Sequence, residues 1–198
     1  VSPGFDALAD LPEGAVVGTS SLRRRAQLAH RRPDLRIVEF RGNVQTRMRK
    51  LSDGVAQATF LAMAGLNRLD MAGVARGAIA PEDMLPAVAQ GAIGIERRSD
   101  DTRAGALLAA IHDAPTGRRL AAERAFLETL DGSCQTPIAG LAVLEGDTLW
   151  LRGEILRPDG SKVIRGERRV AADEGAGAGR ALARDLLDQA PPGFLAGR

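Results

Sequence analysis

Cysteine, histidine and aromatic side chains are nearly missing from this sequence, and each shortage closes off a class of function. A single cysteine, Cys134, excludes an internal disulfide framework. With only His30 and His112 beside that one thiol, no ligand set for a transition-metal centre exists, and no metal is expected. There is no tyrosine, one tryptophan and five phenylalanines, too few rings for a base-stacking platform. No helix-turn-helix or zinc-finger spacing occurs either, so nucleic acid is not an expected partner. No apolar run approaches the roughly 18 residues that cross a bilayer, which argues against a membrane. The opening Val1-Ser2-Pro3-Gly4 has neither an initiator methionine nor a basic segment followed by an apolar stretch, so an artificial start and a cytoplasmic setting are expected.

What is present is material for a packed core. The chain has 198 residues, 44% of them hydrophobic, enough for one large or two small domains. Net charge is only +2, because 27 basic residues face 25 acidic ones, yet the first fifty residues are crowded with arginine. Local positive fields therefore matter more than the total.

The pattern predicts alternating strands and helices through the first half. A strand at Ala15-Val16-Val17 is followed by Gly18-Thr19-Ser20-Ser21 and a helix from Leu22 to about His30, capped by Ser20 or Ser21. A second strand, Leu35 to Phe40, runs through Arg41-Gly42-Asn43 into a helix from Val44 to about Ser52. A third, Gln57 to Leu61, runs into a helix from Ala62 to Leu69. Such alternation implies a parallel sheet with crossover helices, which binds ligands at the carboxyl ends of its strands.

The arginines sit where helices disfavour them. Arg23, Arg24 and Arg25 occupy the start of the first helix; Arg41 stands just before the second and Arg47 one turn inside it. A helix start already carries about half a positive charge, so clustered arginines there cost stability unless an anion lies among them. Arginine's planar fork suits carboxylate or phosphate, and two neighbouring strand ends suit a ligand with several carboxylates. A solvated helix face formed by Arg24, Arg25, Arg31 and Arg32 is the alternative.

The remainder predicts a small α+β unit. A helix from Thr116 to Leu130 carries Leu120, Leu127 and Leu130 on one side. Strands follow at Ile138 to Val143, Thr148 to Ile155 and Lys162 to Val170, forming a three-stranded antiparallel sheet. A last helix from about Gly179 to Gln189 turns Leu182, Leu186 and Leu187 inward, approached by a flexible Gly175-Ala176-Gly177-Ala178-Gly179 that lacks a phosphate-loop signature. Trp150 is read as packing material. Cys134 lies between helix and sheet in Gly132-Ser133-Cys134-Gln135-Thr136-Pro137, among turn-forming residues that display a thiol.

Five segments together resemble porphobilinogen deaminase, also called hydroxymethylbilane synthase. They are Val17 to Arg24, Arg41 to Arg47, Ala64 to Leu69, Leu85 to Glu96, and Gly132 to Ile138. The resemblance implies a transferase of tetrapyrrole, and hence porphyrin and heme, biosynthesis that joins four porphobilinogen molecules head to tail with release of ammonia. It implies a dipyrromethane cofactor in thioether linkage to Cys134. By their motif positions, Arg23, Arg24, Arg41, Ser21 and Gly42 would bind that cofactor, and Thr19, Ser20, Arg47 and Arg68 the substrate. The family's catalytic aspartate lies in an amino-terminal segment that this sequence does not contain, so no catalytic residue is expected among these 198 residues.

The expected fold is then an α/β domain over residues 1–86, periplasmic-binding-protein-like, followed by a return segment over 87–113 belonging to a missing first domain. An α+β cofactor-attachment domain over 114–198 completes it. As a fragment the chain should be inactive, its Cys134 carrying pyrroles only if the missing domain was present during assembly. The complete protein is expected as a monomer, while exposed Ile93, Ile95, Leu107 and Leu108 could associate the fragment with another chain. Departures from the family pattern are Ser133 for glycine, Thr136 for valine and Ala89 for glycine, the last awkward if a positive backbone angle is required. A non-enzymatic carboxylate or phosphate receptor, or an inactive remnant, are the other readings.

Overall fold

The computed structural model describes residues 1–133 and 135–195, so Cys134 lies outside the described residues. Its first half is a parallel sheet of β1 (Val16–Gly18), β2 (Arg36–Val38) and β3 (Ala58–Thr59), in the order β2-β1-β3. Helices α1 (Leu22–Arg31) and α2 (Val44–Ser52) are the crossovers. Successive strand residues alternate between two faces. Val17 and Ala58 pack with Leu28 of α1, Leu35, Phe60 and Met84. Val16 and Val38 pack on the opposite side with Phe40, Leu51 of α2 and Ala56. A parallel sheet covered on both faces is what its Val/Ile-rich strands require.

Strands β2 and β3 are shorter than expected, and β1 is shifted by one residue. The Leu35 amide donates to the Arg32 carbonyl, closing a turn, and the Thr19 amide donates to the Val38 carbonyl, the last rung between β1 and β2. At the same end Gly18 passes so near Phe40 that a Cβ there would lie 2.4 Å from the ring. The carboxyl ends of β1 and β2 are therefore held close together.

From α3 (Met63–Arg68) the chain runs to α4 (Thr102–Ala109) with little regular structure. In this stretch Ile93, Ile95 and Leu107 are exposed, Ile93 at 93%, and Ile111 joins them; Leu108 is half-buried. Ala89 adopts φ 60°, the positive angle that makes alanine an awkward replacement for glycine.

The second half is an open-faced layer: α5 (Ala114–Thr129), the antiparallel β4 (Ile138–Glu145), β5 (Thr148–Leu156) and β6 (Val163–Ala171), then α6 (Gly175–Asp188). Leu149, Leu151, Ile155 and Ile164 pack against Ala122, Phe126 and Leu130 of the α5 side and Leu182, Ala183 and Leu186 of α6. Gly153 admits the Phe126 ring, since a Cβ there would meet it at 2.5 Å.

Three expectations are corrected here. Gly175 to Gly179 are no flexible approach; they are the opening turns of α6. Their low helix propensity is overridden by packing, because α6 crosses α5 so closely that a Cβ on Gly179 would lie 2.3 Å from the Ala122 carbonyl oxygen. Leu187 is 38% exposed, the inward face being Leu182, Ala183 and Leu186. Trp150 packs outside the core, its ring flanked by the guanidinium groups of Arg152 at 4.1 Å and Arg169 at 4.3 Å.

The two halves touch through the β5–β6 turn. Gly160, at φ 75°, rests on α1 so closely that a Cβ would lie 2.6 Å from the His30 amide nitrogen, and its carbonyl lies 3.1 Å from His30 Nδ1.

Candidate binding site for an acidic ligand

Two helix starts converge at the carboxyl ends of β1 and β2. Ser21 caps α1, its hydroxyl accepting the Arg24 amide at 3.4 Å, while the buried Thr19 hydroxyl accepts the Ser21 amide at 3.2 Å. Asn43 caps α2, its Oδ1 accepting the Thr46 amide at 2.8 Å. Gly42 stands at φ 128°, and a Cβ would come 2.7 Å from the Thr46 methyl; only glycine fits this approach to α2.

Arg24 and Arg47 are the positive charges that this arrangement draws together. Arg24 reaches the Phe60 carbonyl at 3.4 Å and lies over the Phe60 ring at 5.8 Å. Burial first, and then the neighbouring Arg47, hold its pKa below the ordinary arginine value. Arg47 donates from Nε to the Gly42 carbonyl at 2.8 Å and from Nη2 to the Ser20 hydroxyl at 3.2 Å. No carboxylate among the described residues forms an ion pair with either arginine. Two guanidinium groups, the hydroxyls of Ser20 and Ser21 and two helix starts thus form a donor set suited to carboxylates.

The other expected residues are placed differently. Arg23 is buried, 8% exposed, and its Nη1 donates to Gln27 Oε1 at 2.8 Å and to the Leu85 carbonyl at 2.7 Å. Burial, with a smaller push from Arg24, lowers its pKa to about 10 against an opposing pull from Glu154. Arg41 is exposed and pairs with Glu39. Arg68 ends α3 at the surface, and its guanidinium makes no hydrogen bond or ion pair among the described residues.

Residues on both sides of Cys134 are hydrogen-bonded to one another. Ser133 and Thr136 are joined by the Thr136 amide to the Ser133 carbonyl at 3.0 Å and the Ser133 amide to the Thr136 hydroxyl at 3.2 Å. Gly132 is pressed between Leu127 and Ile138, where a Cβ would sit 2.4 Å from the Leu127 methyl. Gly132 and Ser133 thereby follow the end of α5 closely against the start of β4.

Comparison with known proteins decides the family. The model described as porphobilinogen deaminase, dipyromethane cofactor binding domain, matches residues 1–106, and that for the porphobilinogen deaminase C-terminal domain matches 118–188. The chain belongs to the porphobilinogen deaminase family. A curated porphobilinogen deaminase of Paracoccus denitrificans (strain Pd 1222) is 68% identical over 195 residues, which is 98% of this chain. The chain spans 62% of that relative's length.

Three buried polar residues were not singled out from the sequence. Gln27 Nε2 donates to the Leu85 carbonyl at 2.9 Å and to Glu154, itself paired with Arg165 at 3.1 Å. Glu123 accepts the Ala89 amide at 2.6 Å and the Ala142 amide at 2.8 Å, with burial as the main force raising its pKa. A signal existed: Gln27 lies four residues from Arg23 on the face shared with Ala26 and Leu28, and Glu123 lies between Ala122 and Ala125 on a face that packs.

Proposed function

We propose that this chain is the cofactor-holding and acid-binding part of a hydroxymethylbilane synthase, a transferase acting on porphobilinogen in a cytoplasmic setting. The observation that carries the reading is the Arg24–Arg47–Ser20–Ser21 cluster at two helix starts, positive and without a paired carboxylate among the described residues, in a chain of the porphobilinogen deaminase family. Porphobilinogen bears an acetate and a propionate, and this cluster would hold such groups by charge-assisted hydrogen bonds. Arg41, Gly42, Thr19 and Arg68 belong to the same proposed site by their motif positions. Arg23 belongs to it through the atoms its Nη1 contacts leave.

Cys134 would hold the dipyrromethane, which when bound supplies the pyrrole carbon at which the chain grows. The protein's own part is to orient the acidic side chains. Arg24, partly desolvated over Phe60, would clamp a carboxylate more strongly than a solvated arginine. Ser20, already bonded to Arg47, would share the same oxygen. We assign residues 1–86 to a periplasmic-binding-protein-like α/β domain, 87–113 to a return segment and 114–198 to the attachment domain. This division is supported by the end of the parallel sheet before residue 86 and the start of α5 at Ala114.

Intact-mass measurement tests the anchor. In a chain assembled together with the remaining length of such a relative, a mass above that of the sequence by one dipyrromethane, lost in Cys134→Ser, is the expected result. An excess that survives the substitution, or no excess at all in that assembled protein, counts against it.

A further inference from the structure

Residues 85–89 cross from the α/β half to the attachment half, and four of these five residues are fastened. The Leu85 carbonyl accepts Arg23 Nη1 at 2.7 Å and Gln27 Nε2 at 2.9 Å, both from α1. The Pro86 carbonyl accepts the Gly140 amide of β4 at 3.0 Å. Val88 packs against the core of the attachment half, 3.2 Å from where a Gly140 Cβ would stand. The Ala89 amide, at a positive φ, donates to Glu123 of α5 at 2.6 Å.

A segment outside any helix or sheet would ordinarily give its amides and carbonyls to water. Here a buried carboxylate takes one end and a buried guanidinium and carboxamide the other. Glu123 is 5% exposed, Gln27 3% and Arg23 8%; groups so desolvated are held only where every partner is met. The two ends of the strap also differ in what they hold. One end is the first turns of the helix whose start carries Arg24 and Ser21; the other is the helix that precedes Cys134 in the chain.

We propose that Glu123 and Gln27 are positioning residues that, through the strap at 85–89, fix the acid-binding start of α1 relative to the helix that precedes Cys134. This rests on the proposed function only for what the site binds; the fastening stands apart from it. Replacing Glu123 by Gln exchanges one acceptor oxygen for an NH2 group that faces a donor, so one of the two amides loses its partner. The Ala142 amide is carried by β4, held in place by its pairing with β5, whereas Ala89 lies in no helix or strand, so the Ala89 amide is the one expected to be released.

The experiment combines amide exchange with calorimetric titration by porphobilinogen, on the native chain, Glu123→Gln and Gln27→Met. In the native chain the Ala89 amide should exchange slowly although it lies in no helix or strand. In Glu123→Gln it should exchange about tenfold faster or more, while α5 and α6 amides keep their protection. Both variants should bind porphobilinogen several-fold more weakly, although neither residue lies among the acid-binding donors. Rapid Ala89 exchange in the native chain overturns the proposal, as does native affinity in both variants. If the native chain binds no porphobilinogen, the reading of the site fails; Ala89 exchange then decides the strap alone, acceleration in Glu123→Gln supporting it and unchanged exchange overturning it.

Discussion

Arg24 shows why a residue's position at a helix start is legible in the sequence. The sequence places an arginine within a turn of a serine-capped helix start, a purely local coincidence that needs no tertiary information to be recognised. Arg24→Ala should weaken binding of an acidic pyrrole by about 1.5–3 kcal/mol, the value of a hydrogen bond to a charged group, without lowering the urea midpoint. Arg23, its neighbour in sequence, was not legible in the same way. Its partner Leu85 lies 62 positions away, and burial against that carbonyl depends on how the two halves meet. Ala89 carries a second residue-scale prediction. Because a left-handed angle costs an alanine about 1–2 kcal/mol and a glycine almost none, Ala89→Gly should raise stability by roughly 1 kcal/mol after glycine's greater unfolded-state freedom is deducted.

Glu123 adds a pH dependence with a definite sign. Burial, the largest cause, raises its pKa in the folded chain above the unfolded value. The associated stability is therefore complete below the ordinary glutamate range and is lost as pH rises through the raised value. Urea midpoints of the native chain and Glu123→Gln should consequently shift in the variant's favour between about pH 4 and pH 7; a constant difference across that range would contradict the burial argument.

At the scale of elements, helices and strands followed from period and caps, and the errors came from close packing. Helix α2 runs from Val44 to Ser52 as its Asn43 cap and spacing imply. Gly175 and Gly179 were misread because glycine is a poor helix former, a local rule that the crossing of α5 and α6 overrides. The same observation predicts that Gly179→Ala, though it raises intrinsic helix propensity, destabilises the attachment half by about 1–3 kcal/mol. Its Cβ would collide with the Ala122 carbonyl, a backbone atom that cannot step aside. Chemical denaturation followed by the tryptophan signal measures this, since Trp150 is stacked between Arg152 and Arg169 on the same sheet.

Across the whole molecule, a parallel sheet whose carboxyl ends gather Arg24 and Arg47 is joined to an antiparallel layer by residues 85–89 and by the docked β5–β6 turn. The arginines at helix starts and the five motif segments were legible in the sequence. The joining was not, because Gly160 against His30, Gln27 against Glu154 and Glu123 against Ala89 are contacts between residues distant in sequence. Ile93, Ile95, Leu107 and Ile111 are each exposed in the segment between the halves, and substituting polar residues there should leave the fold's stability within about 0.5 kcal/mol.

The central claim is that the cluster at the starts of α1 and α2 holds the acidic side chains of a pyrrole. Amide chemical shifts of the native chain, followed as porphobilinogen is added at low and at physiological salt, test it most directly. The account predicts saturable shifts centred on Ser20, Ser21, Arg24, Asn43 and Arg47, weaker at higher salt and abolished in the Arg24→Ala, Arg47→Ala double variant. Shifts located elsewhere, or a saturable response that survives in that double variant, would contradict it.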